Sequence, residues 1–308
     1  MGFPMPSVSI VIPTYNRASL IGETLESVLA QTFADWECLV VDDASTDHTR
    51  AVVEEYRARD PRIRYTAQET NEGGASARNR GAALTEGDFV AFLDNDDVWL
   101  PGFLAATVAL LQAHPHAVLA AAPRLYWDGE GTLMTEVFSE QAQRQPLRTM
   151  IGHCFVVPSQ CLIRRSALQK TQGLRCWPAD DFDLWLQLLV QGTAVFAQEP
   201  LMKWRRHEGN FGAVSRDRLV TTLNIEILKK FLWRRDVSLW HRVVAAGNIQ
   251  RKHEYLLGLE LAEGSLPRSA AARLARLLLI VPSPLLRSPA LARRYLRGAC
   301  PGSSESVS

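Results

Sequence analysis

Over about the first hundred residues, short unbroken apolar runs alternate with stretches in which apolar residues return every three or four positions. Val8–Ile12 is a strand-sized run that stops at Pro13, and its lack of polar alternation suits a strand buried on both faces. Asn16 stands where it can cap a helix whose Ile21, Leu25, Val28 and Leu29 share one side. Glu37–Val41 reads as the next strand and ends in Asp42-Asp43; Asp47 can cap a helix carrying Val52, Val53 and Tyr56. Arg62–Thr66 is a third strand, Asn71–Gly74 a loop and Ala75–Leu84 a short helix. Asp88–Leu93 is a further strand that runs directly into Asp94-Asn95-Asp96-Asp97, and Pro101 suits the first turn of a helix in which Leu104, Val108 and Leu111 share a face. Strand and helix in strict alternation predict an α/β fold with a mostly parallel sheet and helices on both sides.

Beyond residue 106 the pattern loosens. Val118–Ala122, Gln160–Ile163 and Ala194–Ala197 are strand candidates, and Asp181–Leu189 reads as a helix with Trp185, Leu188 and Leu189 on one side. Tyr126–Val157 has no readable code and suits loops that meet a variable ligand. From Leu219 the spacing of Val220, Leu223, Ile227 and Phe231 is helical, and Gly302–Ser308 is a polar tail expected to be disordered.

Charge narrows the chemistry. With 34 Lys+Arg against 33 Asp+Glu in 308 residues, the chain lacks the basic excess of a bulk nucleic-acid binder. The five cysteines are scattered without a C-x-x-C pair, which argues against a structural zinc site or a disulfide framework and for a reducing, cytoplasmic setting. Met1–Pro6 has no export-signal pattern, and the run Leu277–Leu286 is broken by prolines and too short to span a bilayer. Ligands of open parallel sheets bind beyond the carboxyl ends of the strands. Pro13–Asn16, Asp42-Asp43 and Asp94–Asp97 all fall there, so chain order gathers five carboxylates at one rim. Asp94 and Asp96, two apart after a strand, repel each other unless a hard cation such as Mg²⁺ or Mn²⁺ intervenes, and such a cation ordinarily shares its shell with substrate phosphates.

The runs Val8-Ser-Ile-Val-Ile-Pro-Thr-Tyr-Asn-Arg17, Val40-Val-Asp-Asp-Ala-Ser-Thr-Asp47, Asn71-Glu-Gly-Gly, Ala77-Arg-Asn79 and Phe92-Leu-Asp-Asn-Asp-Asp97 resemble, in order and spacing, those of glycosyltransferase family 2. Asp180-Asp-Phe-Asp-Leu-Trp-Leu186 and Arg206-His207 resemble two later elements of the same family. The resemblance implies a GT-A fold and an inverting, metal-dependent transfer from a nucleotide-diphosphate sugar, a UDP-sugar in the first instance, to a hydroxyl of a carbohydrate or lipid-linked acceptor in polysaccharide or glycolipid assembly. It implies that Pro13, Thr14 and Tyr15 line the nucleotide and that Asp43 bonds the base, for which an acceptor-only carboxylate suits the uracil imide. Asp94 would face ribose and metal, and Asp96 would ligate Mn²⁺ or Mg²⁺ directly. Arg78 and Asn79 could face the nucleotide, or Arg78 could pair with the acidic rim. Asp181 is the expected catalytic base; Asp180 departs from the family's usual Glu, and Asp180 and Asp183 could equally be helix-end charges. Asp97 would cap the turn before Pro101. Arg205 and Arg206 could steady the diphosphate and His207 complete the metal shell, or the three could form a surface basic turn. Trp99, Trp177 and Trp204 could stack on sugar or belong to the core; Cys154 and Cys161 are expected in the core.

The resulting organisation is a nucleotide-sugar half over 1–105, an acceptor half with the base over 106–215, and a helical C-terminal extension over 216–308. Between Gly264 and Gly298 there are seven arginines, interleaved with leucines, and no acidic residue. Such helices suit peripheral contact with an anionic membrane on its cytoplasmic face, or packing on the catalytic domain or in a homodimer. Two rival activities remain in view: a haloacid-dehalogenase-like phosphohydrolase with Asp94 as nucleophile, from the string Asp94-x-Asp96-x-Val98, and a non-catalytic sugar-nucleotide-binding module.

Overall fold

The computed structural model describes residues 7–128, 130–175, 179–206 and 214–262. The chain divides into two compact units at Phe211–Gly212. The first begins with β1 (Val8–Thr14), α1 (Ile21–Leu29), β2 (Trp36–Asp42), α2 (Thr49–Arg59), β3 (Ile63–Ala67), α3 (Gly74–Ala83) and β4 (Phe89–Phe92). It continues through β5 (Val98–Trp99), α4 (Phe103–Ala113), β6 (Ala117–Ala121), β7 (Arg124–Trp127), β8 (Thr132–Glu136), α5 (Glu140–Arg144) and α6 (Pro146–Gly152). It closes with β9 (Cys161–Arg164), α7 (Arg165–Leu168), α8 (Asp180–Leu189), β10 (Thr193–Phe196) and β11 (Met202–Arg205).

Seven strands form one sheet in the order β10-β6-β9-β4-β1-β2-β3. β1 lies parallel to β2 and β4, and β2 parallel to β3. β9 is antiparallel to both β4 and β6, so the sheet is mostly parallel, with one reversed strand inserted. That insertion joins the two sides of residue 105 in one sheet. Every residue of β1 is buried, as its unbroken apolar run requires. Val8, Ile10 and Ile12 pack with Ile21, Leu25, Val40, Phe103, Leu104 and Leu162 in the main core. Each such side chain contributes about 1.5–3 kcal/mol on burial. A second, four-stranded sheet, β5-β11-β7-β8, borders the first unit.

Three local expectations change. β1 runs through Pro13 to Thr14, because Pro13 and Thr14 stay in register with Val41 and Asp42 and the Thr14 carbonyl still accepts from Asp43 N–H at 2.8 Å. Asn16 does not cap α1: it takes a left-handed backbone (φ 51°), and its Oδ1 accepts from Thr46 N–H at 2.8 Å, tying the end of β1 to the turn after β2. The stretch after Tyr126 is not all loop, since β7 and β8 pair there as a hairpin. At the end of β7, Asp128 Oδ1 accepts from Gly131 N–H at 2.8 Å.

The second unit contains α9 (Val214–Leu232) and α10 (Leu239–Ala262), which pack on each other; Leu228, Phe231, Ala245 and Ile249 are buried. Among the described residues, no helix is long and apolar enough to cross a membrane. The arginine-rich stretch 264–298, the polar tail, Trp177 and His207 lie outside the described residues.

Candidate active site

The carboxyl ends of β1, β2 and β4 build the rim. Thr14 is buried and its Oγ1 has no partner, whereas the neighbouring Tyr15 is 44% exposed. Ala44 follows the acidic pair in a left-handed backbone (φ 66°), a conformation unfavourable for a residue with a Cβ. Asp42 Oδ1 accepts from Ser45 N–H at 2.8 Å and Oδ2 from the Tyr65 hydroxyl at 2.7 Å, so Asp42 holds the turn. Asp43 is also buried. Its Oδ1 accepts from Gln68 Nε2 (2.5 Å) and Glu72 N–H (2.8 Å), and its Oδ2 from Gly73 N–H (2.7 Å). Asp43 therefore fastens the loop that starts α3, and Oδ2 keeps one lone pair for another donor.

The acidic turn after β4 is held from three directions. Ser159 Oγ accepts from Asp94 N–H at 3.0 Å, from the segment entering β9. Asn95 Nδ2 donates to the Pro13 carbonyl at 2.7 Å. Arg205 donates through Nε to the Asp96 carbonyl (3.0 Å) and through its backbone N–H to Asp97 Oδ1 (3.2 Å), pairs with Glu23 of α1, and lies over the Trp127 ring at 4.1 Å. Arg205 is thus a buried strut of the turn on a strand, not part of a surface basic turn; Arg206 beside it is exposed. Asp97 is fully buried and does not cap the turn before Pro101 through its side chain. Burial and the nearby Asp94 and Asp96 charges push its carboxyl well above the usual range. Trp99 belongs to the core, stacked on Phe103 at 4.2 Å with its indole N–H on the Ser159 carbonyl.

Arg78, on α3, bridges two elements. Its Nη2 meets Asp94 Oδ1 at 2.5 Å and its Nη1 meets Asp180 Oδ2 at 3.4 Å, so it pairs with the acidic rim. Burial opposes the charge, but Asp94 and Asp180 more than offset it and hold the guanidinium protonated. Asn79 donates from Nδ2 to the Leu174 carbonyl (2.9 Å) and accepts Leu174 N–H on Oδ1 (3.0 Å), fixing the chain before α8. Asp94 and Asp96 remain partly exposed and supply hard oxygen donors. Among the described residues, no group of three His, Cys, Asp or Glu is assembled to hold a metal. Two carboxylates without a third protein ligand fit Mg²⁺ or Mn²⁺, which take one or two carboxylates and fill the shell with water and phosphate oxygens.

The first turn of α8 carries three acids with three different fates. Asp183 is buried against the guanidinium of Arg175 at 2.8 and 2.9 Å and accepts from Gln187. Asp180 is buried beside Arg78; burial raises its carboxyl and Arg78 opposes that rise. Neither is a solvated helix-end charge. Asp181 is half-buried, and burial, then the Asp180 charge, push it up to about 6 despite a bond from Phe182 N–H to Oδ1 at 2.7 Å. Cys154 is not in the core: it is exposed, with its thiol 3.8 Å from Asp181 Oδ2, while Cys161 is buried as expected. Ser159 and Cys154 are site residues that sequence reasoning missed. Both come from the segment before β9, far along the chain from their partners, and no local motif marks them.

Glycosyl transferase family 2 matches this chain over residues 9–171. A Bacillus subtilis (strain 168) protein named for teichuronic acid biosynthesis, the glycosyltransferase TuaG, is 45% identical over 203 residues, covering 65% of this chain and 79% of that protein. An Escherichia coli UDP-Glc:alpha-D-GlcNAc-diphosphoundecaprenol beta-1,3-glucosyltransferase, WfgD, is 42% identical over 104 residues, 34% of this chain and 40% of its own. Among solved structures, S. aureus TarS 1-349 in complex with UDP-GlcNAc superposes with a TM-score of 0.70 at 21% identity, covering 90% of this chain and 82% of that one. The mannosyltransferase PcManGT from Pyrobaculum calidifontis, in complex with GDP-Man and Mn2+, gives a TM-score of 0.62 at 20% identity over 96% and 86%. These likenesses establish the GT-A fold.

Proposed function

The chain belongs to glycosyl transferase family 2, and on that premise we propose that it transfers a sugar with inversion from a UDP-sugar to a hydroxyl of a lipid-linked glycan acceptor in cell-surface polysaccharide assembly. The observation that carries this reading is the Arg78 bridge, in which one buried guanidinium spans Asp94 of the donor rim and Asp180 of the helix that presents Asp181. Donor side and base side are thereby held by one group.

Pro13, Thr14 and Tyr15 line the nucleotide in this reading, with the unpartnered Thr14 hydroxyl available to it. Asp43 offers its remaining Oδ2 lone pair to the imide N–H of uracil. Asp96 and Asp94 would hold a divalent cation, which supplies Lewis-acid neutralisation of diphosphate charge. Exposed Arg206 can add a further positive charge toward the phosphates; His207, which would complete the metal shell, lies outside the described residues.

Asp181 accepts the proton of the acceptor hydroxyl as that oxygen bonds to the anomeric carbon, and the bond from that carbon to the diphosphate oxygen breaks with its electron pair leaving on the nucleotide. A carboxyl near 6 is ionised at neutral pH yet basic enough to take a proton in the transition state. A haloacid-dehalogenase-like phosphohydrolase would carry its nucleophile after the first strand, whereas Asp94 follows the fourth, β4.

The test is a panel of UDP- and GDP-sugars with Mn²⁺, read first as stabilisation and then as transfer to a diphospho-lipid acceptor. Stabilisation by UDP-sugars is expected; a preference for GDP-sugars would overturn the assignment of the base.

A further inference from the structure

The connection between α9 and α10 exposes what helical hairpins ordinarily bury. Trp233, one residue past α9, is 85% exposed; Leu239 and Trp240, which open α10, are 76% and 58% exposed; Val243, one turn on, is 56% exposed. The hairpin does not lack an inner face, because Phe231 and Val237, interleaved with these residues, are buried. The apolar surface at this end is therefore additional to the seam that holds the two helices together. Four large apolar side chains exposed within eleven residues of chain mark an interaction site.

The same end is basic. Lys229, Lys230, Arg234, Arg235 and Arg242 fall between residues 229 and 243, against the single acid Asp236. Asp236 is paired with Arg234 at 2.6 Å, while Lys230 and Arg235 stand exposed. Tryptophans set among lysines and arginines suit a bilayer interface: indole rings settle at headgroup depth, and cationic side chains meet anionic headgroups.

We propose that residues 229–243, the end of the α9–α10 hairpin, form a docking surface for an anionic lipid bilayer. Charge decides among the occupants. The chain's own stretch from 264 to 298 carries seven arginines and no acid, so it is repelled by this patch. A second copy presenting the same patch brings like charge against like charge. An anionic bilayer offers the opposite charge together with an apolar layer for the tryptophans. Neither helix is apolar enough to cross, so the contact is peripheral. This inference does not depend on the transfer chemistry and extends beyond it.

The experiment is co-sedimentation of the full chain with phosphatidylcholine vesicles, with and without phosphatidylglycerol, at low and high salt. Binding is expected only with phosphatidylglycerol and should weaken as salt screens the headgroups. K230E/R235E should lower the partition coefficient at least about tenfold, since each basic residue near the surface counts and both signs are reversed. W233S/W240S should lower it on the order of tenfold while leaving the melting temperature in place, because both rings are exposed. A full chain that ignores the anionic vesicles overturns the proposal, as do variants that bind like the parent. Size-exclusion chromatography without lipid supplies the remaining outcome: a parent dimer that W233S/W240S converts to monomer would assign the patch to self-association and reject the membrane.

Discussion

In the proposed reaction Asp181 meets two opposing demands. As a base it must hold a proton affinity near the working pH, and the same burial that raises it to about 6 penalises the ionised folded state. The sign follows from proton counts. Between the unfolded value near 3.8 and about 6, the folded carboxyl keeps a proton that the unfolded chain releases, so stability falls as pH rises; above about 6 the full cost persists. Asp181→Asn should therefore raise stability at pH 7.5 by on the order of 2 kcal/mol, a shift of several degrees in Tm, and the gain should vanish near pH 4. Transfer should fall by about 10²-fold or more in the same variant, and the acid limb of kcat/KM, inflecting near 6 in the parent, should disappear from its residual rate. Asp180→Asn is expected to gain less than Asp181→Asn at pH 7.5: burial raises its carboxyl too, but the buried Arg78 gives up a charged partner. Melting curves at two pH values and a pH–rate profile decide both. If Asp181→Asn keeps the parent's rate, or if Asp180→Asn loses transfer as severely as Asp181→Asn, the division of roles between the two acids is wrong.

At the scale of elements, the site depends on how closely α3 lies on the sheet. Ala77 and Gly81 face β1, and a Cβ added at Gly81 would collide with Val11 Cγ1 and stand 3.1 Å from Val41 Cγ2. Both valines are buried strand residues with no room to retreat. Gly81→Ala should cost about 1–3 kcal/mol, and by lifting α3 it should displace Arg78, one turn earlier, and weaken UDP binding as well. Denaturant unfolding and UDP titration check the two effects; an unchanged UDP affinity at reduced stability would show that Arg78 does not depend on this packing. The elements most legible in the sequence were those whose physics is local. β1, β2 and β4 are short apolar runs ended by Pro13, Asp42-Asp43 and Asp94, and burial on both faces leaves them no other reading. β7 and β8 were less visible because β7 is only half-buried throughout. Arg205 was misjudged because its partner Glu23 is 182 residues away, and no local pattern shows that a basic run is a strand facing a helix from the other end of the unit. Asp180 posed the same difficulty: a helix-end acid and a buried acid beside an arginine 102 residues away look alike until the sheet is assembled.

At the scale of the whole molecule, the rim and the base are joined through Arg78 but perform separable work. In the proposed function Asp94 and Asp96 belong to the donor side, where two carboxylates repel a diphosphate unless a cation lies between them. UDP alone should therefore stabilise the protein weakly. UDP with Mn²⁺ at 100 times its dissociation constant should stabilise it by about 2.7 kcal/mol. Asp96→Asn should lose most of the Mn²⁺-dependent part and little of the rest, since base and ribose contacts lie elsewhere on the rim. Asp181→Asn should keep the entire Mn²⁺-dependent gain while losing transfer, because the proposed reaction puts its carboxylate on the acceptor side. Arg78→Lys should impair both functions: a single ammonium cannot reach Asp94 and Asp180 together as the planar guanidinium does. Thermal shifts measured across UDP alone, Mn²⁺ alone and both together, beside steady-state transfer, separate the three variants. Should Asp96→Asn respond to UDP and Mn²⁺ like the parent, the cation is held elsewhere. Should Arg78→Lys lose transfer alone, the bridge serves the base helix and not the donor rim.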